Sequence, residues 1–155
     1  MKNLILIASL ATAVASAASA VEVNSPGTNE ARVMSQENFT GNAVAESMLP
    51  ANEQNTHNTG IVTFPPGSRT AWHSHPRGQT LIVTSGTGWV QERDGERVEI
   101  SAGDTVWCPP NVEHWHGATD TSLMQHIALT YFEGDTNVTW GDLVSDEEYA
   151  APTTE

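Results

Sequence analysis

Between Gly60 and Phe132 the chain is cut into short runs of mixed apolar and polar residues by turn-forming clusters at near-regular intervals. That rhythm confines it to a small all-β fold, because each run is long enough for a strand and too short for a packed helix. The predicted strands are Ile61–Phe64, Thr70–His75, Gln79–Thr84, Trp89–Arg93, Arg97–Ile100, Thr105–Cys108, Glu113–His116 and Leu123–Phe132. Pro65-Pro66-Gly67, Pro76-Arg77-Gly78, Ser85-Gly86-Thr87-Gly88 and Pro109-Pro110-Asn111 read as the turns between them. Asp94-Gly95 is a strong hairpin signal. Eight short strands of this kind close into a sandwich or barrel whose mouth has room for one small ligand.

The flanks read differently. Residues 1–20 carry Lys2, an apolar run from Leu4 to Val14 and the small-residue site Ala18-Ser19-Ala20, the layout of a cleaved export signal. An exported protein, periplasmic or secreted, is therefore expected. Residues 21–57 are polar and irregular and read as an arm with at most one or two edge strands. The barrel is expected over 58–135 and a tail over 136–155, with one short amphipathic helix within Thr139–Tyr149. A net charge of −13 argues against non-specific binding to nucleic acid or anionic membranes. The single cysteine, Cys108, has no intrachain partner and reads as a small buried hydrophobe. Trp72, Trp89, Trp107 and Trp115 read as packing or contact residues, and Asp142, Asp146, Glu147 and Glu148 as a solvated acidic face.

Chemistry concentrates in the histidines. Five of six lie between positions 73 and 126; His57, in the arm, stands apart. His73 and His75 alternate on an extended segment, so both imidazoles project from one face. His114 on a later strand would complete a three-imidazole site of the kind that suits Mn, Fe, Co, Ni, Cu or Zn. His116 shares the face of His114 by the same alternation.

At these residues the chain resembles a cupin. Gly67, His73, His75, Gln79 and Gly86 fit the first cupin signature, Gly-x5-His-x-His-x3-4-Glu-x6-Gly, with Gln79 in the glutamate position. Gly103, Pro109 and His114 fit the second, Gly-x5-Pro-x-Gly-x2-His-x3-Asn; Asn111 replaces its glycine and Ala118 its asparagine. A narrower resemblance covers about Phe39 to Tyr149. Arg69 to Pro76, Gly78 to Thr84, His114 to Ala118, Met124 to Ala128 and the tail from Val138 are similar to the small bacterial cupins with manganese-dependent hydroxynitrile lyase activity.

The resemblance implies a single-domain cupin (a double-stranded β-helix or jelly-roll barrel) with a polar N-terminal arm and a short C-terminal helix. It implies a divalent metal, Mn²⁺ first with Fe²⁺ or Zn²⁺ as alternatives, held by His73, His75, Gln79 and His114. His126 and His116 become the proton-handling histidines, and Gly60, Val62 and Thr130 shape the pocket. A homodimer paired through edge strands of the arm is implied as well. Three neutral imidazoles and an amide leave the full charge on a divalent ion, which favours Lewis-acid chemistry on a cyanohydrin or aldehyde over redox cycling with O₂. A cupin dioxygenase acting on a small organic substrate, and a non-catalytic small-ligand binder, are the alternative readings.

Overall fold

A computed structural model describes residues 21–25 and 27–150. The expected export signal at 1–20 lies outside the described residues. Among the described residues there are twelve strands: β1 (Ala31–Val33), β2 (Phe39–Thr40), β3 (Val44–Leu49), β4 (His57–Phe64), β5 (Arg69–Thr70), β6 (His73–Ser74), β7 (Gln79–Glu92), β8 (Arg97–Ser101), β9 (Thr105–Cys108), β10 (His114–Ala118), β11 (Met124–Tyr131) and β12 (Thr139–Trp140). One helix, α1 (Asp146–Ala150), follows. The fold is nearly all-β, as the strand rhythm predicts, and its sheet curls into a half-barrel.

All pairings are antiparallel, in the order β1-β3-β4-β11-β7-β10-β5-β2, with β8 and β9 also on β7. The first half of β7 pairs with β11 and β9, and its second half with β10 and β8. The two halves of the molecule are thus joined by one continuous strand. The sequence suggests a turn at Ser85–Gly88; instead the strand bends there without ending. Gly86 has φ +71°, and a Cβ on it would meet the Leu123 carbonyl oxygen at 1.9 Å. A Cβ on Gly88 would meet the Gly117 carbonyl oxygen and the Met124 sulfur, each at 2.2 Å. These glycines admit the close approach of a strand that passes from one sheet to the other.

Two further expectations are corrected. The arm holds three strands, and β3 lies inside the sheet between β1 and β4. The segment Thr70–His75 is split, because the Ala71 and Trp72 amides donate to Asn38 and Asp142 carbonyls in the arm and tail. The expected short C-terminal helix is present, over Asp146–Ala150. Gly141 packs so closely on Trp72 that the amide of Gly141 donates to the Trp72 carbonyl at 2.8 Å, which holds the chain extended. Ser145 then opens the helix as a capping box, with Glu148 N to Ser145 Oγ at 3.1 Å and Ser145 N to Glu148 Oε2 at 2.7 Å.

Phe39, Ala43, Phe64, Val83, Ile100, Ala118 and Met124 form the main core between the sheets. Trp72, Trp115 and Val144 form a second cluster under the tail, with Trp89 and Tyr149 packed against it. Trp107, read as a packing or contact residue, is 53% exposed. The tail is clasped by Arg69, whose buried guanidinium donates to the Val144 carbonyl at 2.9 and 3.2 Å and to Asp146 Oδ1 at 2.7 Å. Arg69 also lies 4.4 Å from the centre of the Tyr149 ring. Asp146 and Glu148 are therefore engaged rather than merely solvated, Glu148 accepting from Trp72 Nε1 at 3.2 Å. Cys108 is buried, as expected, and burial pushes its thiol up to about 12.

Candidate functional site

Period-two alternation sends every second side chain of β4, β7 and β11 inward. There Gly60, Val62, Gln79, His126 and Thr130 line one cavity of about 620 Å³ together with His73, His75 and His116. The pocket residues expected from the sequence thus lie in one place. His114 lines a second cavity of about 280 Å³ with Trp107 and Cys108, while its ring stays 4.4 Å from that of His73.

The imidazoles form a contiguous group. Ring centres are 5.0 Å apart for His73–His75, 5.5 Å for His75–His114, 5.2 Å for His73–His116 and 4.8 Å for His116–His126. All five are buried. Three are oriented by main-chain carbonyls: His73 Nδ1 lies 3.0 Å from Ala71 O, His114 Nδ1 3.0 Å from Val112 O, and His75 Nδ1 2.6 Å from Asn137 O. A carbonyl only accepts, so each Nδ1 carries the proton and each Nε2 presents a lone pair. Gln79 is oriented too. Its Nε2 donates to Thr130 Oγ1 at 3.0 Å, which turns Oε1 away from Thr130, and the Gln79 side chain faces the His75 ring.

His75 Nε2, His114 Nε2 and Gln79 Oε1 are buried without a hydrogen-bond partner among the described residues, as are the outer nitrogens of the pair, His116 Nε2 and His126 Nδ1. Three acceptors gathered without a donor are costly to bury. A cation relieves that cost, so the donor set fits a metal ion. The hydrogen bonds on the far ring nitrogens are those that hold metal-ligating histidines.

The ring nitrogens that lie closest as a trio belong to His73, His114 and His116, all within 4.8 Å of one another. His116 is thus as near to the group as the histidines that the sequence motif supplies. It differs in its second nitrogen: His116 Nδ1 meets His126 Nε2 at 3.2 Å instead of a carbonyl. Its tautomer is set by another imidazole and can switch.

Burial is the main cause of depressed basicity at each ring. His73 and His116 are held well below the ordinary histidine value by desolvation first, then by neighbouring imidazoles. His114 and His126 are each pulled down to about 4, chiefly by burial, and His75 is lowered for the same reason. At neutral pH the cluster is uncharged, the form that binds metal and accepts protons.

Sequence reasoning missed the aromatic wall. Trp140 on β12 lies 4.9 Å from His73 and 5.6 Å from Phe39, while Phe64 lies 5.7 Å from His116 and 5.5 Å from His126. All three aromatic residues line the large cavity, as do Met34 and Arg32 from the arm. An isolated Phe39 in a polar run was the one signal that the arm reaches the core.

The pattern of the cupin domain matches residues 60–129. An (R)-mandelonitrile lyase of Granulicella tundricola is 45% identical over 111 residues, which cover 72% of this chain and 85% of that enzyme. A cupin-like protein of Thermotoga maritima superposes with a TM-score of 0.72 at 39% identity, covering 76% of this chain and 89% of the other. The polyketide cyclase RemF of Streptomyces resistomycificus shares the fold at 13% identity, with a TM-score of 0.66 over 84% of this chain and 91% of its own.

Proposed function

This chain belongs to the cupin superfamily, and from its site we propose that it is a metal-dependent lyase of the hydroxynitrile type, splitting a cyanohydrin reversibly into an aldehyde and cyanide. The observation that carries the reading is the set of partnerless acceptors on His75, His114 and Gln79 beside a separate histidine pair. The similarity to a mandelonitrile lyase supports it.

His73, His75, Gln79 and His114 would hold the metal. His75 is preferred over His116 as a ligand because its Nδ1 is fixed on a carbonyl, which commits Nε2 to a lone pair. Manganese is the first choice, since an amide oxygen suits a hard cation; iron and zinc remain alternatives. When bound, the ion supplies Lewis acidity toward the substrate oxygen.

His116 and His126 would move the proton. Two neutral imidazoles carry two protons, and one lies in the bond between them. The ring that donates this proton has a lone pair on its outer nitrogen, and the ring that accepts it has N–H on its own. The pair is therefore base at one end and acid at the other. In the cleavage direction the base end takes the hydroxyl proton. The O–H electron pair becomes the C=O bond, the C–C pair leaves with cyanide, and the proton is returned to give HCN. Phe64 packs beside both rings and keeps bulk water from them. The aromatic side chains beyond, Phe39 and Trp140, offer an apolar bed for the rest of the substrate.

The test is cleavage of mandelonitrile by metal-analysed protein, native against His73→Ala and His126→Ala. The reading requires benzaldehyde release that His73→Ala loses together with the metal and His126→Ala loses with the metal retained. Metal without cleavage, accompanied by O₂ uptake on small organic substrates, would replace it with the dioxygenase alternative. Export of the chain belongs to the same proposal, and mass measurement of protein recovered outside the cytoplasm should show residues 1–20 removed.

A further inference from the structure

Strand registers arrange the floor of the large cavity in three parallel rows. Val62 on β4 stands opposite Ala45 on β3 and His126 on β11, and Arg32 on β1 extends that row outward. Asn58, Thr130 and Gln79 form another row across β4, β11 and β7. Between the two lies a row of Ser47, Gly60 and Ala128. All of these residues line the cavity. The middle row is almost bare of side chain. Among the described residues, a Cβ on Gly60 would meet nothing within 4 Å except the Glu46 carbonyl oxygen, at 3.3 Å. Larger side chains stand on both sides, so the row is the floor of a trench. Its inner end lies between His126 and the Gln79–Thr130 contact, beside the residues assigned to the proton and the metal. Its outer end reaches Ser47, which is exposed.

From Ala128 to Ser47 the trench crosses β11, β4 and β3, two strand spacings or about 10 Å. A single ring held at the inner end covers little more than one spacing and leaves the outer half empty. The cavity of about 620 Å³ agrees. It falls within the roughly 300–1,000 Å³ of pockets that enclose a drug-sized ligand. Its aromatic wall is likewise longer than one ring: Trp140, Phe39 and Phe64 follow one another with centres 5.6 and 6.2 Å apart. Flat rings pack well on such a surface. Charge limits what the far end of a ligand can carry. Glu30 and Glu46 line the cavity against one guanidinium, that of Arg32, on a chain of net charge −13. An anionic group meets repulsion there.

We propose that the substrate class of this site is an uncharged, elongated aryl aldehyde with two linked rings, taken as its cyanohydrin, and that Gly60 and Ala128 set this length by leaving the trench floor open. The inner ring lies over Ala128, and the outer ring over Gly60 and Ser47. The reacting end rests on the lyase reading above; the trench does not.

Isothermal titration of the metal-loaded full chain with biphenyl-4-methanol and biphenyl-2-methanol tests this. The two alcohols have the same composition, but only the para isomer is straight. Native protein should bind the para isomer roughly tenfold or more tighter, because the ortho isomer cannot lay its second ring along the trench. Gly60→Val and Ala128→Val each raise the floor, and each should bring the ratio to within about twofold. Circular dichroism checks that the variants fold, and if Gly60→Val does not, Ala128→Val gives the same readout. A carboxylate on the far ring of the para isomer should weaken its binding to native protein. Equal affinity of native protein for the two isomers, a ratio that survives both substitutions, or tighter binding of the carboxylate overturns the proposal. Titration needs no turnover, so the two readings fail separately. Mandelonitrile left uncleaved beside an intact ratio strikes the lyase reading, whereas cleavage without a ratio strikes the trench alone.

Discussion

Thr130→Val isolates the contact that orients Gln79. Valine keeps the shape of threonine and removes the acceptor that the Gln79 amide uses at 3.0 Å. Both residues are buried, at 6% and 7% exposure, so no solvent replaces the lost partner. The amide then has two choices. Held in place, it leaves a buried N–H unpaired at a cost of about 1–3 kcal/mol. Turned over, it donates to the lone pair of His75 and quenches both groups as metal ligands. At about 1.4 kcal/mol per tenfold, the expected result is a fall in Mn²⁺ affinity of roughly tenfold to a hundredfold. Thr130→Ser, which keeps the hydroxyl, should stay within a few-fold of the native protein. Titration of free Mn²⁺ by electron paramagnetic resonance reads the affinity directly, and thermal melts of the metal-free proteins report whether the barrel stays intact. Equal affinity in Thr130→Val and native protein would refute the orienting role. Native protein that takes up no metal would refute the metal site itself.

The metal-free protein should lose stability as pH falls from about 6.5 to about 4. His114 and His126 are near 4 when folded against an ordinary 6.5, so within that window only the unfolded chain binds the proton. Urea midpoints should therefore rise with pH across this range and level off above it. Gly86→Ala should cost more than about 3 kcal/mol, since the added Cβ meets the Leu123 carbonyl and φ is +71°; chemical denaturation reads it. Arg69→Met should cost about 2–3 kcal/mol through the lost bonds to the Val144 carbonyl, with little contribution from the exposed Asp146. Limited proteolysis should then cut first between Val144 and Tyr149.

The strand rhythm of the barrel was the most legible part of the chain. Alternation alone put His73 and His75 on one face, while Gln79 and the full ligand set with His114 came from the likeness to the cupin signatures. His126 was singled out by the same likeness, and Thr130 followed from it by the alternation of the last long strand. The arm was not legible, because β1 to β3 are strands only by virtue of partners; nothing in Val44–Leu49 announces that Thr59–Thr63 will pair with it. The bend of β7 was misread because Gly86 and Gly88 look the same in sequence whether they end a strand or let it turn. Trp140 and Asn137 come from the tail to complete the site, and contacts that far apart in the chain leave no periodicity to read.

The continuity of β7 has a kinetic consequence. Four strands, β8, β9, β10 and β11, take their register from it. Neither half of the barrel can propagate until this one segment has found partners on both sides of its bend. Those partners are distant in sequence, so the search is slow for the size of the chain. Strain placed at the Gly86 bend should therefore retard refolding more than it hastens unfolding, which stopped-flow refolding and unfolding of Gly86→Ala would measure.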